Sequence, residues 1–150
     1  MTECAFSERI QMELPIQIIF KDEPGVAIAF PNSVTEDLPL THVEGNRYRL
    51  NFSSLLGEPR VFYGDVIEIK PTGEKSADFL RIVKRSGLRV SCRVIGKDII
   101  DSPLLQHLLD QIMQLGGNWE RAFGGVLLVH LPESVELDLD AALQAIGESC

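Results

Sequence analysis

The stretch from Val61 to Val94 constrains the fold more than any other part of this chain. It reads as three strand-like runs, VFYGDVIEIK, ADFLRIVKR and LRVSCRV, separated by turn signals at PTGEK and Ser86-Gly87. Short β-rich runs joined by turns this tight pair antiparallel, because parallel strands need a crossover of a dozen residues or more. Alternation assigns the faces. Ile67 and Ile69 lie opposite Val66, Glu68 and Lys70. In the last run, Leu88, Val90, Cys92 and Val94 are expected inward, with Arg89, Ser91 and Arg93 outward. Gly64 invites a bulge or close backbone approach, and Asp65 beside it is expected to anchor a Tyr63-Gly64-Asp65 hinge by accepting backbone N–H bonds.

Upstream, residues 1–13 are weakly patterned and expected to be loosely ordered. Leu14–Lys21 and Val26–Phe30 read as strands around a turn at Asp22-Glu23-Pro24-Gly25. Pro31–Asn46, punctuated by Pro31, Pro39 and Gly45, is expected to be irregular. A loop of that length is usually functional or mobile. Arg47–Phe52 alternates as a half-buried strand.

Downstream, Asp101-Ser102-Pro103 is a helix start, with Ser102 as cap and Pro103 in the first helical position. Leu104, Leu105, Leu108, Leu109, Ile112 and Leu115 mark one buried helical face, and Gly116-Gly117 ends it. Asn118–Phe123 and Val126–Leu131 flank Gly124-Gly125 as a hairpin. Asp138 or Asp140 caps a last helix through Ile146. The expectation is one α+β domain over 1–150: a mostly antiparallel β lobe (14–86), then a β-α-β-β-α half (87–147) laid out as in split-βαβ, ferredoxin-like folds.

Composition narrows the function classes. Hydrophobic residues make up 45% and charged residues 24% of the 150, as in ordinary globular domains. No apolar run is long enough to span a bilayer, and the first residues lack the pattern of a secretory signal. Three cysteines (Cys4, Cys92, Cys150) form no CxxC, which suggests a reducing, cytoplasmic setting in which Cys92 is a small buried hydrophobe. A net charge of −8 argues against nucleic acid and anionic membrane as partners. The charge is also segregated: six basic residues and no acidic one lie between Arg81 and Lys97, whereas Glu133–Glu148 holds five acidic residues and no basic one.

No catalytic constellation emerges. His42, His107 and His130 have no metal-ligand spacing, and His107 and His130 are expected to be exposed. The glycine pairs match no phosphate-binding pattern, and Trp119 reads as a core anchor. No catalytic residue, metal site or cofactor is therefore assigned. The one candidate surface carries Arg81, Arg85, Arg89 and Arg93, an anion- or partner-binding face. Competing with it, acidic residues such as Glu68, or the acidic tail, would neutralise those arginines by pairing.

At Tyr48-Arg49-Leu50-Asn51-Phe52, Tyr63-Gly64-Asp65-Val66-Ile67-Glu68 and Ile82-Val83-Lys84-Arg85-Ser86-Gly87 the chain resembles an uncharacterised family of small bacterial proteins, classed as a domain of unknown function. That family carries a YRL-N-P-F … YGD-V-V segment and a V-x-x-SG turn before a strand. The resemblance extends over most of residues 14–147; the chain departs from it at Phe52-Ser53, where the family has Pro-Phe after the asparagine. It implies a stand-alone bacterial cytoplasmic domain and no known activity, cofactor or catalytic residue. Together these features favour a non-enzymatic protein-interaction or regulatory module of the antagonist type. Its partner is expected to be another protein, with self-association through the basic strand face and the acidic tail as one form. The alternative is a binding or catalytic domain for an anionic small molecule.

Overall fold

The computed structural model describes residues 25–148. They form an α+β protein with mostly antiparallel sheets, divided into two units between Ser86 and Gly87. The expected strand at 14–21, most of its turn and the start at 1–13 lie outside the described residues.

Residues 25–86 make a five-stranded closed barrel: β1 (Gly25–Ala29), β2 (Thr35–Glu44), β3 (Arg47–Leu50), β4 (Val66–Gly73) and β5 (Ser76–Lys84). Each strand pairs antiparallel with the next, and β1 closes on β5 in parallel. An up-and-down meander with an odd strand count must close this way, since its first and last strands run in the same direction. Closure leaves no free edge on these five strands. The interior is apolar: Ile28, Leu38, Leu50 and Ile67 are fully enclosed, and Phe30 stacks on Phe79 with centroids 5.4 Å apart. Each such side chain contributes about 1.5–3 kcal/mol through removal from water.

Residues 31–46 are not the expected loop, because β2 occupies most of them. Pro39 is tolerated in this strand because pairing changes hands there: Gly25 is its partner on β1, and the next residue, Leu40, pairs with Leu50 on β3. Two further boundaries shift. Val61–Asp65 is not strand but the end of a long connection over 51–65, and β4 begins at Val66. The β4–β5 turn falls at Glu74-Lys75, with Pro71–Gly73 still paired.

The second unit runs β6 (Arg89–Val94), α1 (Lys97–Ile100), α2 (Pro103–Gln114), β7 (Asn118–Ala122), β8 (Val126–Leu131) and α3 (Leu139–Glu148). Its sheet has the order β6-β8-β7, with both neighbours antiparallel to β8. Ser102 caps α2, its hydroxyl accepting the Leu104 N–H at 3.1 Å, and Asp138 accepts the Ala141 N–H at the start of α3. Leu105, Leu108, Leu109 and Ile112 are buried as the periodicity requires, against Leu127, Val129 and Leu131 of β8 and Leu143 of α3. Leu104 and Leu115, assigned to that face, are exposed by 41% and 36%. They sit at the ends of the helix, where its apolar stripe has turned away from the sheet. The β7–β8 connection is Phe123-Gly124-Gly125, three residues rather than two, with Phe123 at φ 52°.

The faces of β6 are the reverse of those expected. Arg89, Ser91 and Arg93 stand opposite Leu131, Val129 and Leu127, so the arginines share the helix-covered side of the sheet. Val90, Cys92 and Val94 share the other side with His130 and Leu128. Val94 is 48% exposed, and none of them joins the helix-packed core. Alternation alone fixes which residues go together, not which set meets the helices. Cys92 is disulfide-bonded, which corrects the free thiol expected for it. Disulfides persist in oxidising surroundings, which does not fit the reducing compartment that the cysteine count suggests. His130, expected outside, is fully buried, with Nε2 3.6 Å from the buried Glu120 carboxylate.

Candidate functional site on the barrel's outer face

Two carboxylates hold the 51–65 connection in place. Asp65 is 2% exposed; its Oδ2 accepts the Phe62 N–H and Arg85 Nη1 at 2.9 Å each, and its Oδ1 accepts the Ser86 N–H at 2.8 Å. The anchoring role expected for Asp65 is therefore what its bonds provide. Gly64, at φ 89°, takes the left-handed conformation at the corner of this turn and donates its N–H to Leu50. Glu36 on β2 gathers four donors: the Ser54 hydroxyl at 2.6 Å and the N–H groups of Leu55, Leu56 and Gly57 at 2.9, 2.9 and 2.7 Å. Successive N–H groups converging on one carboxylate make an anion-binding concavity, here filled from within the chain. Gly57 must lack a side chain, because a β-carbon there would run into the Phe30 ring. Arg60 lies over the Phe62 ring at 5.1 Å and donates to the Ser54 carbonyl; burial holds its guanidinium below the usual range.

With the connection pinned, the outer surface of β3, β4 and β5 resolves into cross-strand rows. Glu44, Arg47, Glu68 and Arg81 form one row, in which Arg81 meets Glu68 at 2.8 Å and Arg47 lies 3.4 Å from Glu44 and 3.9 Å from Glu68. In a neighbouring row Lys70 stands opposite Asp78. Both rows balance their charges. The row Thr41, Arg49, Val66 and Lys84 does not: its two cations are exposed, flank Val66 and, among the described residues, have no acid in register.

Bulges in β5 create this row. Arg81 and Lys84 are three residues apart and would face opposite sides of a regular strand. The register instead slips between Glu68 and Ile69 and again between Val66 and Ile67, leaving Leu80 and Val83 as extra residues on β5. Phe79 and Ile82 can then both reach the core, while Arg81 and Lys84 both point outward and Leu80 is 51% exposed. The signal was present in the sequence: apolar residues at 79, 80, 82 and 83 break any period of two.

The four arginines expected to form one face are each engaged inside their own unit. Arg81 pairs with Glu68, and Arg85 pairs with Asp65 and donates to the Arg60 carbonyl. Arg89 donates to the Val135 carbonyl at 2.9 Å. Arg93 clasps both Asp140 oxygens, at 2.7 and 3.3 Å, and donates to the Cys92 carbonyl. Among the described residues no group of histidine, cysteine or carboxylate side chains could hold a metal ion, and no helix is long and apolar enough to cross a membrane.

No family model matches the chain, and no curated protein matches it. The structure is similar to that of a hypothetical protein from Neisseria gonorrhoeae, with a TM-score of 0.51 and 18% sequence identity over 85% of this chain and 88% of that one. At that identity the likeness speaks to fold alone, and it agrees with the resemblance to an uncharacterised family.

Proposed function

We propose that this protein is a non-enzymatic interaction module whose barrel binds an acidic, partly apolar segment of a protein partner across the Arg49–Val66–Lys84 row. The observation that carries the reading is the contrast between rows: the neighbouring rows neutralise themselves, and this one presents two cations with an aliphatic centre. Leu80 and Val83 extend the aliphatic part. A closed barrel offers these strands no edge for strand addition, so recognition falls to side chains. The row contains no aromatic ring on which bases would stack, which favours a protein segment over single-stranded nucleic acid. Of the four arginines inferred from sequence, Arg81 lies nearest to this surface in register. The β-α-β-β-α order of the second unit, with β8 lying between the strands that α1 and α2 connect, supports the split-βαβ, ferredoxin-like reading of that half.

The test is fluorescence anisotropy with a labelled peptide of alternating glutamate and leucine, run beside a single-stranded oligonucleotide of equal charge. The expected result is peptide binding that weakens with salt and is lost in R49E/K84E. Equal peptide binding by wild type and R49E/K84E overturns the reading, as does tighter binding of the oligonucleotide.

A further inference from the structure

The surface complementary to the barrel row lies in the chain itself. Between β8 and α3, residues 132–138 are irregular, with a turn at Glu133-Ser134 closed by the Val135 N–H on the Pro132 carbonyl; Glu133, Ser134, Glu136 and Asp138 are exposed, while Val135 and Leu137 are half-buried against the core of the second unit. The segment is held at its middle and just beyond its end. Arg89 donates to the Val135 carbonyl, and Arg93 takes Asp140 at the first turn of α3. The acids therefore stand on a strip whose backbone is already positioned, which lowers the ordering cost of binding. The two units also differ in overall charge. Residues 25–86 carry eight basic and eight acidic residues, and 87–148 carry four and nine.

We infer, resting on the barrel reading above, that the occupant of the Arg49–Val66–Lys84 row is the 133–138 strip of a second copy of this chain. Cations two strands apart on a sheet are about 9.5 Å apart, and Glu133 and Glu136 are three residues apart, the first of them on the turn at Glu133-Ser134. The flexible stems of arginine and lysine adapt to where those two carboxylates stand. Glu133 and Glu136 are the residues to test, because Asp138 caps α3 and Asp140 is bound to Arg93.

The experiment is sedimentation velocity on the full chain at low and high salt, with R49E/K84E, with E133K/E136K and with an equimolar mixture of the two. The wild type is expected to self-associate at low salt and to weaken as salt rises. Each variant alone is expected to associate about tenfold more weakly or not at all, since close interfacial charge pairs carry couplings of this size or larger. The mixture is expected to recover association, because it restores opposite charges across both contacts. A wild type monomeric at low salt, or a mixture no better than its components, overturns the inference. The glutamate–leucine peptide separates the two levels. If it binds through Arg49 and Lys84 while the chain stays monomeric, the second copy is excluded and the acidic-partner reading stands. If neither occurs, both fall.

Discussion

Each unit contains an arginine–aspartate pair, and the two are built in opposite senses. In the barrel the carboxylate is buried and the arginine wet: the side chain of Asp65 is 2% exposed and that of Arg85 53%. In the second unit Arg93 is the covered partner at 22%, and Asp140 stands in solvent at 52%. The difference shows what each pair does. Asp65 serves the backbone: it collects the N–H groups of Phe62 and Ser86, tying both ends of the β4–β5 pair to the long connection, and Arg85 is its third donor. Arg93 serves the sheet: it lies on the helix-covered side, and its guanidinium reaches the Cys92 carbonyl and the start of α3. An ion pair in a distance table says nothing of this asymmetry, which comes from burial and from the remaining hydrogen bonds.

The sharpest break of the comparison is to remove the two barrel partners separately. Asp65→Ala leaves two backbone N–H groups without their acceptor in a buried setting, and is expected to cost about 3–5 kcal/mol by urea denaturation. Arg85→Ala removes an exposed partner and is expected to cost about 1 kcal/mol or less. Equal losses would show that the ion pair, and not the backbone clasp, is the working unit.

Glu36 extends the comparison within the barrel, since it clasps a loop through four donors that include no arginine. Glu36→Ala is expected to cost about 2–3 kcal/mol, as a part-buried set of four donors loses its acceptor. The specific readout is hydrogen exchange: the amides of Leu55, Leu56 and Gly57 should exchange faster, while those of β7 and β8 keep their protection. Unchanged exchange at those three amides would mean that the loop is held by other bonds, such as Asn32 with Leu56 and Glu58.

Much of this organisation was legible in the sequence, for identifiable reasons. The β4–β5 hairpin was readable because its turn is local, and the α2 cap because Asp101-Ser102-Pro103 is a local signal; Ser86-Gly87, read as a second such turn, instead leads from the barrel to β6, which pairs with β8 in the other sheet. Asp65 was readable because Gly64 and Tyr63 are its neighbours. The Glu36 clasp was not, since its donors lie 18 to 21 residues away and no linear spacing joins them. The Arg49–Val66–Lys84 row was hidden because the bulges at Leu80 and Val83 reverse the parity of β5 after Phe79 and again after Ile82. β2 was hidden because its proline suggested a loop, and the reason Pro39 is tolerated is visible only in the pairing. The side of β6 that meets the helices was assigned backwards because both of its faces are amphipathic: arginine stems cover apolar surface as valines do.

A smaller effect bears on the second unit alone. Ser102→Ala removes the acceptor for the Leu104 N–H and is expected to cost about 1 kcal/mol, with Ser102→Asp close to wild type. The loss should fall on α2, read as faster exchange in its first turn, with the amides around Asp65 unaffected. A comparable loosening around Asp65 would show that the two units do not respond separately.

The smallest expected effect is the pH dependence of the exposed partner. The hydrogen bond from Arg93 holds the Asp140 carboxyl below its ordinary value against the opposing effect of desolvation, and the charge of Arg93 acts in the same direction as the bond. A carboxyl whose folded-state value is depressed stabilises the fold when ionised. Its contribution is complete above the unfolded value of about 3.9, and is lost as pH falls through the lower folded value. Asp140→Asn keeps the shape and removes the charge. Urea midpoints of wild type and variant should therefore differ near neutrality and converge at strongly acid pH, by an amount that shrinks as salt is added. A gap that persists unchanged into acid would place the value of this contact in the geometry of the Arg93 bonds rather than in charge. Asp140 would then resemble Asp65 as a positioned acceptor, and the contrast between the two pairs would reduce to burial.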